Sequence, residues 1–139
     1  PRPVLGFIEW IEPPMSGGHW MPEIIAAAGG ISPFDVTGEN SPWISWRDVA
    51  GADPDVILVA PCGYDIKTSL PEIAALAGHP VWSGLRAVRQ ARVFVADGNA
   101  FFNRPGPRLV ESTEILAEIL HPDVCRYGHR GAAYIPWTA

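Results

Sequence analysis

Cysteine is scarce: the 139-residue chain carries Cys62 and Cys125 and no others. Neither a CxxC pair nor a Cys/His ligand spacing occurs, which excludes a zinc ribbon or a disulfide framework. Both residues are expected as free, mostly buried thiols. No apolar run approaches the roughly 20 residues of a membrane span, so an integral membrane protein is not expected. Basic clusters are absent as well. The net charge is −5, and no basic patch is interleaved with aromatics, which argues against nucleic acid as a partner. Ser16-Gly17-Gly18 does not make a phosphate loop, and Ser69 and Ser112 lack a nucleophile-elbow context. An initiator Met and a signal peptide are also lacking. Pro1-Arg2-Pro3 leads straight into an apolar run, the start expected of a fragment of something longer, so the start of the chain does not read out a compartment.

What is abundant is proline, glycine and tryptophan: 15, 14 and 6 residues. The prolines and glycines fall between apolar runs and therefore punctuate a folded chain. Hydrophobic residues make up 47% and charged ones 18%, the balance of one globular domain with a real core.

Three apolar runs read as strands covered on both faces: Val4–Trp10, Val56–Ala60 and Val93–Ala96. Helical patterns lie between them. One is expected from about His19 to Ala28, with Pro22 in its first turn and Gly29-Gly30 ending it. A short one follows Ser45, whose side chain and Asp48 form a capping box. Ile66, Leu70, Ile73 and Leu76 share one face of another, with Pro71 placing its start at either Ile66 or Ser69. The last runs from Pro107 to Leu120, with Glu111, Glu114 and Glu118 on its polar face. Phe34-Asp35-Val36 is expected as a short strand. Ile11–Gly18, His79–Trp82 and the tail from Asp123 are expected as loops. Strands alternating with helices predict an α/β fold, a single three-layer lobe over residues 1–139 with a mostly parallel central sheet.

The most informative stretch is Asp97-Gly98-Asn99-Ala100-Phe101-Phe102-Asn103-Arg104-Pro105-Gly106-Pro107-Arg108. A connector needs Gly, Asn or Pro for its geometry; it does not need paired phenylalanines beside guanidinium groups. Parallel strands put their carboxyl ends on one edge, where open α/β sheets bind ligands. The loops at 11–20, 61–65 and 97–105 are therefore expected to converge. With the strand ends they gather Trp10, His19, Tyr64, Asn99, Phe101, Phe102, Asn103 and Arg104, and Trp43, flanked by loop residues, is a further candidate for exposed stacking. Aromatic walls with a few polar groups suit a large, flat, amphiphilic ligand. Each residue also has a plainer role: phenylalanines in the core, arginines on acidic neighbours, His19 hydrogen-bonded at a helix start instead of ligating a metal such as cobalt. A small α/β enzyme using Glu9, Glu12 or Cys62 is the competing class, although no His/Asn set accompanies Cys62.

Glu9-Trp10-Ile11-Glu12-Pro13-Pro14, Gly18-His19-Trp20, Ala52-Asp53-Pro54-Asp55-Val56-Ile57, Pro61-Cys62-Gly63-Tyr64-Asp65 and the Asn99–Pro107 stretch occur in that order. The chain thereby resembles the carboxy-terminal lobe of cobalamin-binding, periplasmic-binding-protein-like receptors, the substrate-binding components of vitamin B12 and iron-siderophore ABC importers. Ala-Asp-Pro-Asp-Val-Ile is common across that superfamily; the last two pieces are more specific to its cobalamin branch. The resemblance implies a non-catalytic receptor of two α/β lobes clamping a corrinoid (cobalamin-like) ligand, an ABC permease as partner, and a periplasmic or cell-surface location. Trp10, Trp43, Tyr64, Phe101 and Phe102 would supply apolar contacts; Asn99, Asn103 and Arg104 would bond amides or a phosphate, and His19 would reach the cobalt. Docking on the permease through an acidic residue would fall after Ser45, where this chain has Arg47 and then Asp48; that departure moves the role to Asp48 or removes it. A haem or ferric-siderophore receptor lobe and an intracellular, cytoplasmic corrinoid carrier are the alternatives.

Overall fold

The computed structural model describes residues 2–18, 20–34, 43–102 and 108–138. In chain order the elements are β1 (Leu5–Ile11), β2 (Pro14–Ser16), α1 (Met21–Ala27), α2 (Trp46–Ala52), β3 (Val56–Val59), α3 (Ile66–Ala74, continued by a 3-10 turn over Ala75–Gly78), α4 (Pro80–Gly84), α5 (Arg86–Arg89), β4 (Val93–Ala96), α6 (Gly98–Phe101), α7 (Arg108–Leu120) and β5 (Tyr134–Trp137).

The three apolar runs form the centre of one sheet of order β2-β1-β3-β4-β5. β1 pairs parallel with β3, and β3 parallel with β4. Alternate residues of these strands enter separate cores. Leu5, Phe7, Val56, Leu58, Phe94 and Ala96 pack with α1 and α7; Ile8, Ile57, Val59, Val93 and Val95 pack with α2 to α5. This is why the runs are continuously apolar: a strand of period two buried on both sides has no polar face. The second core is built around indoles. Trp82 is fully buried, with Trp46 at 5.2 Å on one side and Trp137 at 5.9 Å on the other.

Local rules set the helix ends. Ser45 accepts the Asp48 N–H at 3.1 Å while the Asp48 carboxylate accepts the Ser45 N–H at 2.9 Å, the reciprocal box expected from the sequence. α1 starts at Met21 with Pro22 in its first turn. Gly29 ends it at φ 91°, against the His121 ring at the end of α7. Asp65 caps α3, which starts at Ile66 and carries Pro71 inside it. At the amino ends of the strands, Arg86 bonds the Asp53 carboxylate at 3.2 Å and that of Asp55 at 2.8 Å.

Both sheet edges differ from the sequence reading. Pro14–Ser16 is a strand that returns antiparallel to β1, and Tyr134–Trp137 pairs antiparallel with β4. Three- and four-residue edge strands owe their shape to the partner's free hydrogen bonds, which no periodicity in their own sequence announces. His79–Trp82 opens α4, with the His79 imidazole capping it. Glu118 is not on a polar helix face: it is 5% exposed and accepts the N–H groups of Tyr127 at 2.7 Å and His129 at 3.2 Å and the Tyr134 hydroxyl at 3.0 Å. The tail after α7 supplies those donors, so the carboxylate that looked solvated pins the tail down. Cys62 is exposed, not buried, and both cysteines are free thiols. Of the expected strand Phe34–Val36, only Phe34 lies within the described residues. No helix among the described residues is long and apolar enough to cross a membrane.

Candidate functional site

The carboxyl ends of β1, β3 and β4 are stitched together through the backbone. The Cys62 N–H donates to the Glu9 carbonyl at 3.0 Å, joining the β3 loop to β1. The Asn99 N–H donates to the Tyr64 carbonyl at 3.2 Å, joining the β4 loop to the β3 loop. Gly98 lies directly on the Pro61 carbonyl, and a Cβ there would also come within 2.8 Å of the Ala60 oxygen. Only glycine allows the two loops to cross so closely.

These contacts bring Trp10 and Tyr64 together. Their rings meet edge to face, centroids 5.3 Å apart. A bulge between Ile8 and Trp10 in the pairing with β2 shifts the β1 alternation. As a result Ile8 and Ile11 both enter the second core, and Trp10 is released toward the strand ends, the way bulges commonly re-aim a side chain beside a site. Trp10, Ile11, Glu12, Pro61, Tyr64 and Glu72 line an open notch of about 60 Å³. Trp43 is 62% exposed, and its backbone bridges Met15, the residue that pairs with Trp10. Three of the expected aromatics therefore share this edge. Glu72, contributed by α3, had no mark in the sequence as a lining residue.

Other expected residues are placed differently. Phe102 is 2% exposed and packs on Phe7 with centroids 5.5 Å apart, so it is a core side chain and offers no face to a ligand. Phe101 is half-buried against the same core. Asn99 is exposed in α6, whose start Asp97 caps by accepting the Ala100 N–H at 2.9 Å. His19, Asn103 and Arg104 lie outside the described residues.

The electrostatics of this edge bear on two of its side chains, Cys62 and Asp65. Desolvation and the Glu9 carboxylate push the Cys62 thiol above its usual range, the wrong direction for a nucleophile. Hydrogen bonds from Thr68 hold the Asp65 carboxyl below its usual range and commit it to the α3 cap. Among the described residues no group of three His, Cys, Asp or Glu side chains is placed to hold a metal ion.

The family model described as periplasmic binding protein matches residues 1–100. The chain belongs to the periplasmic binding protein family. As such a lobe, it is 29% identical over 91 residues to an ABC transporter substrate-binding lipoprotein of Bacillus subtilis, an overlap of 64% of this chain and 26% of the relative. Among solved structures, an ABC transporter substrate-binding protein from Listeria monocytogenes superposes with a TM-score of 0.76 at 16% identity, over 88% of this chain and 49% of that one. A periplasmic heme binding protein from Pseudomonas aeruginosa gives 0.68 at 21%, over 91% and 45%. The periplasmic vitamin B12 binding protein of Vibrio cholerae gives 0.64 at 23%, over 86% and 44%. These structures share the fold, and the periplasmic binding protein lobe described here spans less than half of each.

Proposed function

We propose that this chain is the carboxy-terminal ligand-binding lobe of a two-lobe receptor, the substrate-binding component of an ABC importer, and that its ligand is a corrinoid of the cobalamin type. The observation that carries the reading is the Trp10–Tyr64 pair at the shared carboxyl edge, facing an open notch of about 60 Å³. Small-molecule sites typically enclose ~300–1,000 Å³. A notch this small is one wall, and a flat ligand needs a second wall opposite it. Trp10, Tyr64 and Trp43 offer apolar faces, and the exposed Asn99 offers an amide. Phe101, half-buried against the first core, contributes its open edge, and His19, Asn103 and Arg104 are further contacts that the resemblance alone implies.

The corrinoid assignment is supported by Pro61-Cys62-Gly63-Tyr64-Asp65 and by Asn99 to Pro107, which resemble the cobalamin branch. The vitamin B12 binding protein is one fold neighbour. A second reading, a haem receptor lobe, is favoured by the heme binding neighbour. A location outside the cytoplasm is supported by the likeness to a Bacillus subtilis lipoprotein and to periplasmic heme and vitamin B12 binding proteins. Its permease contact involves Asp48, which is exposed while one carboxylate oxygen serves the α2 cap.

Calorimetric titration of cobalamin into the two-lobe protein and into this lobe alone tests the reading. Tight binding to the former and far weaker binding to the latter is expected, because ligand area is then buried on one side only. Binding of haem or a ferric siderophore without cobalamin would move the function to the second reading.

A further inference from the structure

Among the described residues the buried polar or charged side chains are Ser16, Ser69, Ser112 and Glu118. Glu118 holds the tail. The three serines each bond a backbone carbonyl in a segment that leads into the Trp10–Tyr64 edge. Ser16 pairs with Ile8, on one side of the bulge that releases Trp10, and its Oγ donates to the Phe7 carbonyl at 2.9 Å. That bond fixes β2 against β1 at the point where the alternation changes. Ser112 acts on the other ring. Its hydroxyl reaches out of α7 to the carbonyl of Phe101, the last residue of α6. Thr113 beside it bonds the Leu109 carbonyl one turn back in its own helix, at 2.8 Å. The last carbonyls of a helix have no donor inside it, and α6 is only four residues long. Ser112 supplies one such donor. α6 in turn carries the Asn99 N–H that bonds the Tyr64 carbonyl at 3.2 Å. Ser69 differs from both. Its Oγ bonds the Asp65 carbonyl at 2.8 Å, but its own N–H already reaches that oxygen at 3.1 Å, so the hydroxyl is redundant.

We propose that Ser16 and Ser112 are positioning residues of the site: Ser16 sets the direction of Trp10 through the β1 bulge, and Ser112 sets the place of Tyr64 through α6. This rests on the reading of the Trp10–Tyr64 edge as the ligand wall. It deepens that reading by assigning what keeps the wall in shape before a ligand arrives. Packing alone gives no reason for either hydroxyl. Serine is a poorer helix former than alanine, and position 112 is fully buried inside α7, where a hydroxyl is costly unless it is bonded. Neither side chain has to touch the ligand. A wall held ready spares the ligand the entropy of ordering two loops on binding.

The test compares Ser16→Ala and Ser112→Ala with Ser69→Ala in the two-lobe protein. The third variant loses an equally buried hydroxyl whose acceptor keeps its backbone bond. Fluorine NMR after labelling with 5-fluorotryptophan reads the wall directly, with the Trp10 resonance assigned by its loss in Trp10→Phe. Well below their melting temperatures, Ser16→Ala and Ser112→Ala should shift or broaden that resonance and leave those of Trp46, Trp82 and Trp137 in place. Ser69→Ala should match the wild type. The first two variants should also weaken cobalamin binding roughly fivefold, the worth of about one hydrogen bond, and Ser69→Ala should not. A Trp10 resonance unmoved by Ser16→Ala and Ser112→Ala, or moved equally by Ser69→Ala, overturns the positioning role and leaves the corrinoid reading standing. A wild type that binds no cobalamin overturns that reading, while the resonances still decide whether the two serines hold the pair.

Discussion

Removing the Glu118 carboxylate should cost more stability than any surface substitution, and the structure gives the size. Glu118→Ala leaves the Tyr134 hydroxyl, in a residue 2% exposed, without its acceptor. It also frees the N–H groups of Tyr127 and His129, which lie nearer water. A buried polar group left unpaired costs about 1–3 kcal/mol. The hydroxyl bears that in full and the two N–H groups in part, so the total is about 2–4 kcal/mol. For a domain of this size each kcal/mol lowers Tm by roughly 3–4 °C, a fall of roughly 6–16 °C. Glu118→Gln should cost only about 1 kcal/mol. Its carbonyl oxygen accepts the two backbone N–H groups, and its N–H2 donates to a Tyr134 hydroxyl that has turned round. Acid separates the variants further. Burial pushes the Glu118 carboxyl up, but the N–H groups of His129 and Tyr127 and the Tyr134 hydroxyl outweigh it, and the net pKa lies below the usual glutamate value. The folded value is thus below the unfolded one, so ionised Glu118 adds stability above the ordinary glutamate range. That stability is lost as pH falls through the depressed value. Circular-dichroism melts from pH 7 to pH 3 read both effects. Wild-type melting in Glu118→Ala, or a wild-type acid slope in Glu118→Gln, refutes the pinning of the tail by this carboxylate.

Phe102→Ala should destabilise the lobe by about 3–5 kcal/mol in urea titration; Trp10→Ala and Tyr64→Ala should leave folding nearly intact and weaken the ligand by about 1–3 kcal/mol each. If Phe102→Ala instead keeps its stability and loses only affinity, the core placement of that ring is wrong. Gly98→Ala should cost about 1–3 kcal/mol by forcing a Cβ onto backbone oxygens of Ala60 and Pro61 that have no rotamer to yield. A neutral Gly98→Ala in the same titration would mean that the two loops do not cross as described.

The central strands and most helices were legible because each carries a periodic or capping signal many residues long. Val56–Val59 could only be a doubly buried strand, and Ser45 with Asp48 could only start a helix. The edge strands were not legible, since Pro14–Ser16 and Tyr134–Trp137 take their conformation from a partner distant in sequence. Glu118 was misread for a related reason: helical periodicity reports which residues share a face but not whether the tail later folds over that face. At the site, parallel topology was enough to bring Trp10 and Tyr64 to one edge. It was not enough to tell Phe101 from Phe102, because neighbouring residues at a helix end point in different directions and only packing decides which one turns inward.

Five of the six tryptophans divide into two optical populations; the sixth, Trp20, is half-buried against the first core. Trp46, Trp82 and Trp137 sit together in the dry second core, so their fluorescence is emitted at shorter wavelengths and shifts only when the lobe unfolds. Trp43 is open to solvent and Trp10 is partly so; they emit further to the red, at the edge where a ligand would settle. A quencher or a coloured ligand added to the native protein therefore removes the red component first and leaves the blue one. The chain thus carries separate native reporters for occupancy and for folding, readable in one spectrum without any attached dye.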